Sequence, residues 1–135
     1  MTTTARTPTI LVVDDEPSIV DALQKVLVKE NMAVRTAASG QQALEILRTV
    51  PVQVMITDLR MPGMTGEDLL KAVKALTPEV EVIMMTAYGT VENAVGAMKL
   101  GAYDFISKPL KRAAIVAAVS KALDKHALVA ENREL

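Results

Sequence analysis

Five side chains suited to ionic or phosphoryl chemistry stand at the ends of apolar runs in this chain. Asp14 and Asp15 follow Ile10-Leu11-Val12-Val13, Asp58 follows Val54-Met55-Ile56-Thr57, Thr86 follows Val82-Ile83-Met84-Met85, and Lys108 follows Phe105-Ile106-Ser107. Carboxylates are hard oxygen donors for a divalent cation, and a carboxylate can serve as a nucleophile. A hydroxyl donates a hydrogen bond, and a lysine pairs with phosphate oxygens as a point charge. Singly, none of these is diagnostic. Asp58 runs into Leu59-Arg60-Met61-Pro62-Gly63-Met64-Thr65-Gly66, a stretch punctuated by proline and glycine, and Asp is itself a common turn former. On that stretch alone, a turn and a functional site explain Asp58 equally well. What decides is whether the chain brings the five side chains together.

The elements that would do so alternate in type. Strand-like runs at residues 9–13, 32–37, 52–56, 80–85 and 103–107 are each followed by a helical pattern. Pro17 suits a first helical turn, and Ile19, Val20, Leu23, Val26 and Leu27 recur at helical spacing to about Glu30. Ser39 is a plausible N-cap for a helix carrying Ala43, Leu44 and Leu47. Leu69, Leu70, Val73 and Leu76 mark a third helix, stopped near Thr77-Pro78. Thr90 is expected to cap a fourth, with Val91, Ala94, Val95 and Met98 inward and Gly101 closing it. The last starts near Lys111 with Ile115, Val116, Val119 and Leu123 on one face. Alternating β and α elements predict an α/β fold: a doubly wound five-stranded parallel sheet, helices on both faces, right-handed crossovers and strand order 2-1-3-4-5.

In that order strands 1, 3, 4 and 5 are neighbours, so Asp14, Asp15, Asp58, Thr86 and Lys108 gather in one crevice at the carboxyl ends, where such sheets bind ligands. Three carboxylates crowded together repel unless a cation or proton intervenes. A hard divalent ion relieves that, and an open site with few oxygen ligands suits Mg²⁺. Lys108, Thr86 and the backbone N–H groups after it suit a phosphoryl group, with Asp58 as the central nucleophile. Phosphoryl transfer needs mainly positioning and charge neutralisation.

Composition narrows the rest. The chain has 135 residues, half of them hydrophobic, no Cys and a net charge of −1. That predicts one globular domain without disulfides or thiolate chemistry, and offers no electrostatic case for nucleic acid or membrane binding. Residues 1–9 lack an apolar leader, and no apolar run approaches a membrane span. The expectation is a soluble, cytoplasmic domain.

Val12-Val13-Asp14-Asp15-Glu16, Asp58 through Gly66, Met85-Thr86-Ala87 and Lys108-Pro109, in this order at these strand ends, resemble the receiver (CheY-like) domain of two-component response regulators. The resemblance runs from about Thr9 to Leu123. It implies Asp58 as phosphoacceptor, and Asp15 and Asp58 as Mg²⁺ ligands with Asp14 joining directly or through water and Arg60 by its backbone carbonyl. It implies Lys108 as the phosphoryl-bridging lysine, Thr86 as the switch hydroxyl and Phe105 as the switch aromatic. Many relatives carry Tyr where Phe105 stands, so any hydrogen bond from that hydroxyl is absent here. Lys108-Pro109 is a candidate cis peptide. Arg60 and Tyr88 flank the site, and bulk at those positions implies a slow loss of the phosphoryl group.

The resemblance further implies a sensor histidine kinase as phosphodonor. It also implies a homodimer through helix 4, strand 5 and helix 5 or through the C-terminal helix, with no direct contact to nucleic acid. The protein would be a signalling phosphoacceptor that catalyses its own phosphorylation and dephosphorylation. Ala87-Tyr88-Gly89, residues 101–110 and Glu131-Asn132-Arg133-Glu134-Leu135 look most like the nitrogen-regulation (NtrC-like) branch, whose output is sigma-54-dependent transcription. The expected organisation is a disordered tail at 1–8, a receiver domain at 9–123 and a helical extension at 124–135 that starts a linker to an output domain. Leu128 and Leu135 lie seven apart, as a coiled-coil stub or a frayed helix end would both allow. No Walker A pattern is present.

Three rivals are weighed against this reading. A haloacid-dehalogenase-type phosphatase places its nucleophilic Asp first in the chain and needs a cap domain. A flavin binder on the same topology needs a phosphate cradle after strand 1, where Asp14-Asp15-Glu16 would repel phosphate. A pseudo-receiver used purely as an interaction module has no need of the full set of Asp58, Thr86 and Lys108; a stand-alone receiver without an output domain is the alternative organisation. His126, the one histidine, reads as a solvated residue of a polar helix.

Overall fold

In the computed structural model, residues 7–61, 63–86 and 91–134 are described, with backbone only at 91, 93, 94 and 128–134. The elements are β1 (Thr9–Val13), α1 (Pro17–Lys29), β2 (Ala33–Ala37), α2 (Gly40–Thr49), β3 (Val54–Asp58), α3 (Gly66–Leu76), β4 (Glu81–Thr86), α4 (Val91–Lys99), β5 (Asp104–Ser107) and α5 (Arg112–Glu134). The five strands form one sheet in the order β2-β1-β3-β4-β5, every pairing parallel. This is the doubly wound, CheY-like arrangement expected from the sequence.

Period-2 side-chain alternation makes two cores from one sheet. Ile10, Val12, Val54 and Ile56 face α1 and α5, where Leu23, Leu27, Ile115 and Val119 close the layer. Leu11, Val13 and Met55 face the other way, against Leu47, Leu69, Leu70 and Val73 of α2 and α3. Each fully buried aliphatic side chain contributes roughly 1.5–3 kcal/mol. The central strands β3 and β4 are buried at every position, as a parallel sheet covered on both faces requires.

Local signals set the helix ends. Ser39 caps α2 by accepting from the Gln42 N–H at 3.1 Å, and Thr65 caps α3 by accepting from Asp68 N–H at 3.1 Å. Gly101, at φ +106°, closes α4. Ala102 N–H donates to Ala97 O (3.0 Å) and Gly101 N–H to Met98 O (3.1 Å), the paired bonds of a Schellman end. Asn31, at φ +62°, does the same after α1, with Met32 N–H on Leu27 O and Asn31 N–H on Val28 O.

The structure departs from sequence expectation in β3, β4, α4 and the end of α3. β3 begins two residues late and runs through Asp58 rather than stopping before it, because ladder hydrogen bonds are backbone bonds and continue through Thr57 and Asp58 whatever their side chains. β4 likewise runs through Thr86 and begins at a buried acid, Glu81. Val95 and Met98 are not inward: each is 45% exposed, and among the described side chains of α4 the buried one is Ala97. A small side chain lets the helix approach closely, and a helix only nine residues long with apolar groups on several faces does not announce which one it buries. Leu76, in the last turn of α3, is also largely exposed. The expected Thr90 cap, Ala87, Tyr88, Gly89, Pro62, residues 1–6 and Leu135 lie outside the described residues. Leu128 is described by its backbone alone.

Gly66 is required by close approach. A Cβ there would stand 2.8 Å from Leu59 Cα and from Met84 Cε, and would run into the Asp58 carbonyl. Gly66→Ala is therefore expected to destabilise the protein by about 1–3 kcal/mol in urea unfolding, although alanine is otherwise the better helix former. An unchanged midpoint would refute the close approach.

Candidate functional site

The carboxyl ends of β1, β3, β4 and β5 converge because adjacent parallel strands stay in register. Val13 pairs with Thr57, Asp58 with Met85, and Thr86 with Ser107. Beyond the last ladder pair, Leu59 N–H donates to Met85 O (2.9 Å) and Lys108 N–H to Thr86 O (2.8 Å). Asp58 and Lys108 are thus held by backbone bonds to β4 on either side of the crevice. Lys108 precedes a cis peptide bond to Pro109, the isomer for which the sequence made it a candidate.

Asp14, Asp15 and Asp58 each place a carboxylate oxygen within 4.8 Å of the others. Lys108 Nζ stands 3.7 Å from Asp58 Oδ2 and 3.8 Å from Asp14 Oδ2. Two like charges about 4 Å apart repel by roughly 1 kcal/mol in water and about 4 at the effective dielectric near a protein surface. One ammonium among three carboxylates offsets only part of this.

Burial sharpens the imbalance. Asp14 is 1% exposed. Its Oδ1 accepts from the Glu16 N–H at 2.9 Å, while its buried Oδ2 has no hydrogen-bond partner among the described residues. Burial pushes the Asp14 carboxyl above its ordinary range; the Glu16 N–H and Lys108 pull it down, and Asp58 and Asp15 push it further up. A buried carboxylate oxygen without a hydrogen-bond donor, in a group clustered with two more carboxylates, is what an oxygen-loving cation would satisfy. The residues present fit such an ion.

Asp58 is 9% exposed and Thr86 4%, so the crevice floor is reached from one side, while Asp15 stands in solvent. Arg60 lies two residues past Asp58 in the β3–α3 loop with its side chain exposed, and Phe105 is 36% exposed on β5. The structure therefore brings together Asp14, Asp15, Asp58 and Lys108, with Thr86 bonded through its backbone to Lys108. Tyr88 lies outside the described residues. Sequence reasoning missed the Glu16 backbone N–H as the group that orients Asp14; the Asp-x-Glu-Pro spacing ahead of a helix was the available signal.

A family model described as "Response regulator receiver domain" matches residues 10–120. The chain is 37% identical over 128 residues to the C4-dicarboxylate transport transcriptional regulatory protein DctD of Rhizobium meliloti, covering 95% of this chain and 28% of that protein. It is 44% identical over 123 residues to the transcriptional regulatory protein ZraR of Escherichia coli, covering 90% of this chain and 28% of that one. It thus spans little more than a quarter of the length of these relatives. Among solved structures, a response regulator receiver domain protein from Clostridium thermocellum superimposes with a TM-score of 0.85 at 33% identity, covering 90% of this chain and 98% of that one. NtrX from Brucella abortus gives 0.89 at 34% identity, covering 95% of this chain and 30% of that one. With the strand order, the acidic crevice and these likenesses in agreement, the chain belongs to the response regulator receiver domain family, where its relatives are two-component transcriptional regulators of the NtrC type.

Proposed function

We propose that this domain takes a phosphoryl group onto Asp58 from a sensor histidine kinase and switches conformation in consequence. The observation that carries the reading is the crowding of Asp14, Asp15 and Asp58 around Lys108, with the buried Asp14 Oδ2 lacking a hydrogen-bond donor among the described residues. In the transfer an Asp58 carboxylate oxygen forms the new P–O bond while the bond from phosphorus to the donor's imidazole nitrogen breaks, its electron pair leaving with the nitrogen. Lys108 has one ammonium to share between Asp58 and the incoming phosphoryl oxygens, and Thr86 offers its hydroxyl from the next strand. Asp14, Asp15, Asp58 and the Arg60 carbonyl would hold Mg²⁺, which when bound supplies neutralisation of the charge gathered there.

A phosphoryl group on Asp58 is then a new acceptor within reach of Thr86 and Lys108, and it biases two states that lie within a few kcal/mol of each other. Phe105 of β5 and Val95 and Met98 of α4, which contacts β5, are all substantially exposed; they support an α4-β5-α5 surface that changes with the state of Asp58 and forms a homodimer, with the C-terminal helix as the other contact. The receiver would span residues 9–123, with 124–135 leading to an output domain that controls sigma-54-dependent transcription, in the cytoplasm. No described helix is long and apolar enough to cross a membrane.

Intact-mass analysis after incubation with acetyl phosphate and Mg²⁺ tests the chemistry. One hydroxylamine-labile phosphoryl adduct is expected in the wild type, and none in Asp58→Asn or without metal. A folded wild type that binds Mg²⁺ but gains no adduct would sink the proposal in favour of a pseudo-receiver.

The raised Asp14 carboxyl makes a separate prediction. In the unfolded chain this group ionises near its ordinary value of 3.8, but in the folded chain only at higher pH. The cost of ionising it in place therefore builds as pH rises through that window and is fully present above it. Asp14→Asn removes the cost, so in metal-free urea unfolding at pH 7 it should stabilise the protein by about 1 kcal/mol. Mg²⁺ at tenfold above its Kd should stabilise the wild type by about 1.4 kcal/mol and the variant much less. A variant less stable than wild type without metal would contradict the repulsion.

A further inference from the structure

The opposite end of the sheet carries a second group of charged side chains that the phosphoryl chemistry does not use. Glu81, the first residue of β4, is only 3% exposed. Its Oε1 accepts from Lys125 Nζ of α5 at 3.3 Å, and the same ammonium lies 5.4 Å from the centre of the Tyr103 ring. One residue further along α5, His126 Nδ1 is 2.9 Å from the Glu79 carbonyl oxygen. A carbonyl only accepts, so Nδ1 carries the proton and donates, which both the neutral and the charged ring allow. From the α3 side Lys74 Nζ donates to the Val80 carbonyl at 3.1 Å. Burial pulls the Lys74 ammonium below its usual range, Glu81 holds it up, and Lys125 adds a further downward push. Residues 79, 80 and 81 are thus each gripped by a side-chain N–H group, two of the three from one turn of α5.

The apolar contacts of α5 fade before this point. Val119 and Ala122 are fully buried, Leu123 is half-buried, and Asp124, Lys125 and Ala127 are exposed. Past Leu123 the described side chains of α5 bury no apolar group, and isolated short helices are marginal in water, so fraying is expected there. Yet α5 continues to Glu134, eight residues past His126, or roughly 12 Å at 1.5 Å per residue. A cleft of about 400 Å³, walled in part by Leu47, Val50, Gln53 and Thr77, lies beside His126, whose imidazole reaches the turn just before β4 through the Glu79 carbonyl.

We propose that Lys125 and His126 form a latch that docks the distal part of α5 onto the start of β4, so that the helix leaves the body as a rigid arm instead of a frayed end. The strand it grips is buried at all six positions and carries Thr86 at its other end. The arm therefore takes its direction from the same piece of core that forms one wall of the acidic crevice. The docking stands on its own geometry and does not depend on Asp58 accepting a phosphoryl group.

Hydrogen exchange of the 135-residue chain, read by mass spectrometry on peptides from α5, tests it. Lys125→Met combined with His126→Ala is expected to speed exchange in residues 122–134 about tenfold while α1 and β3 keep their protection. Glu81→Gln, which keeps the shape of the acceptor, should reproduce part of the effect. Lys121→Met, an exposed lysine one turn earlier, should not. Phosphorylation from acetyl phosphate, where the wild type shows it, should persist in the latch variants. Unchanged exchange in the distal helix, or equal acceleration throughout the chain, would overturn the proposal.

Discussion

Electrostatic crowding at the carboxyl end of the sheet is the constraint on which the rest of this structure depends. Three carboxylates and one ammonium are held within a few ångströms, and one oxygen of Asp14 is buried without a hydrogen-bond donor among the described residues. Folding energy does not favour that arrangement; it is imposed by backbone. β1, β3, β4 and β5 are locked in register by ladder bonds that ignore side-chain charge, and both faces of the sheet are covered by aliphatic layers strong enough to hold the ends in place. Burial of dozens of apolar groups fixes the geometry, and the charged groups must accept it. Such a site keeps an unmet demand for positive charge, which a bound cation would meet.

The two ends of β4 illustrate how one buried strand can serve two purposes. Its last residue, Thr86, is joined through its carbonyl to Lys108 and borders the crevice. Its first residue, Glu81, is a buried acid held by Lys125 from α5. At the start the charge is matched by cations and the result is docking; at the finish the charge is left in excess and the result is a site. The same rule governs both: a buried charge must find a partner, within the chain or outside it.

The covering layer is uneven. α1, α2, α3 and α5 bury large aliphatic side chains, whereas among the described side chains α4 buries only Ala97 and leaves Val95 and Met98 about half exposed.

Much of this was legible in the sequence. Alternating apolar runs of strand length with amphipathic helices admit few packings other than a doubly wound parallel sheet, and the handed crossovers fix its order. Once that order is given, side chains at the run ends must meet, so Asp14, Asp15, Asp58, Thr86 and Lys108 could be named from one dimension. Caps at Ser39 and Gly101 were equally plain, because they act within a few residues. The tertiary structure alone decided what depends on distant neighbours. Which face of α4 turns inward is set by the sheet beneath it and not by its own mixed pattern. That Glu81 is buried follows from Lys125, forty-four residues away. His126 looked like a solvated residue of a polar helix until the Glu79 carbonyl gave it a partner. Local chemistry is written in adjacent residues, but the partner of a buried charge lies wherever packing brings it.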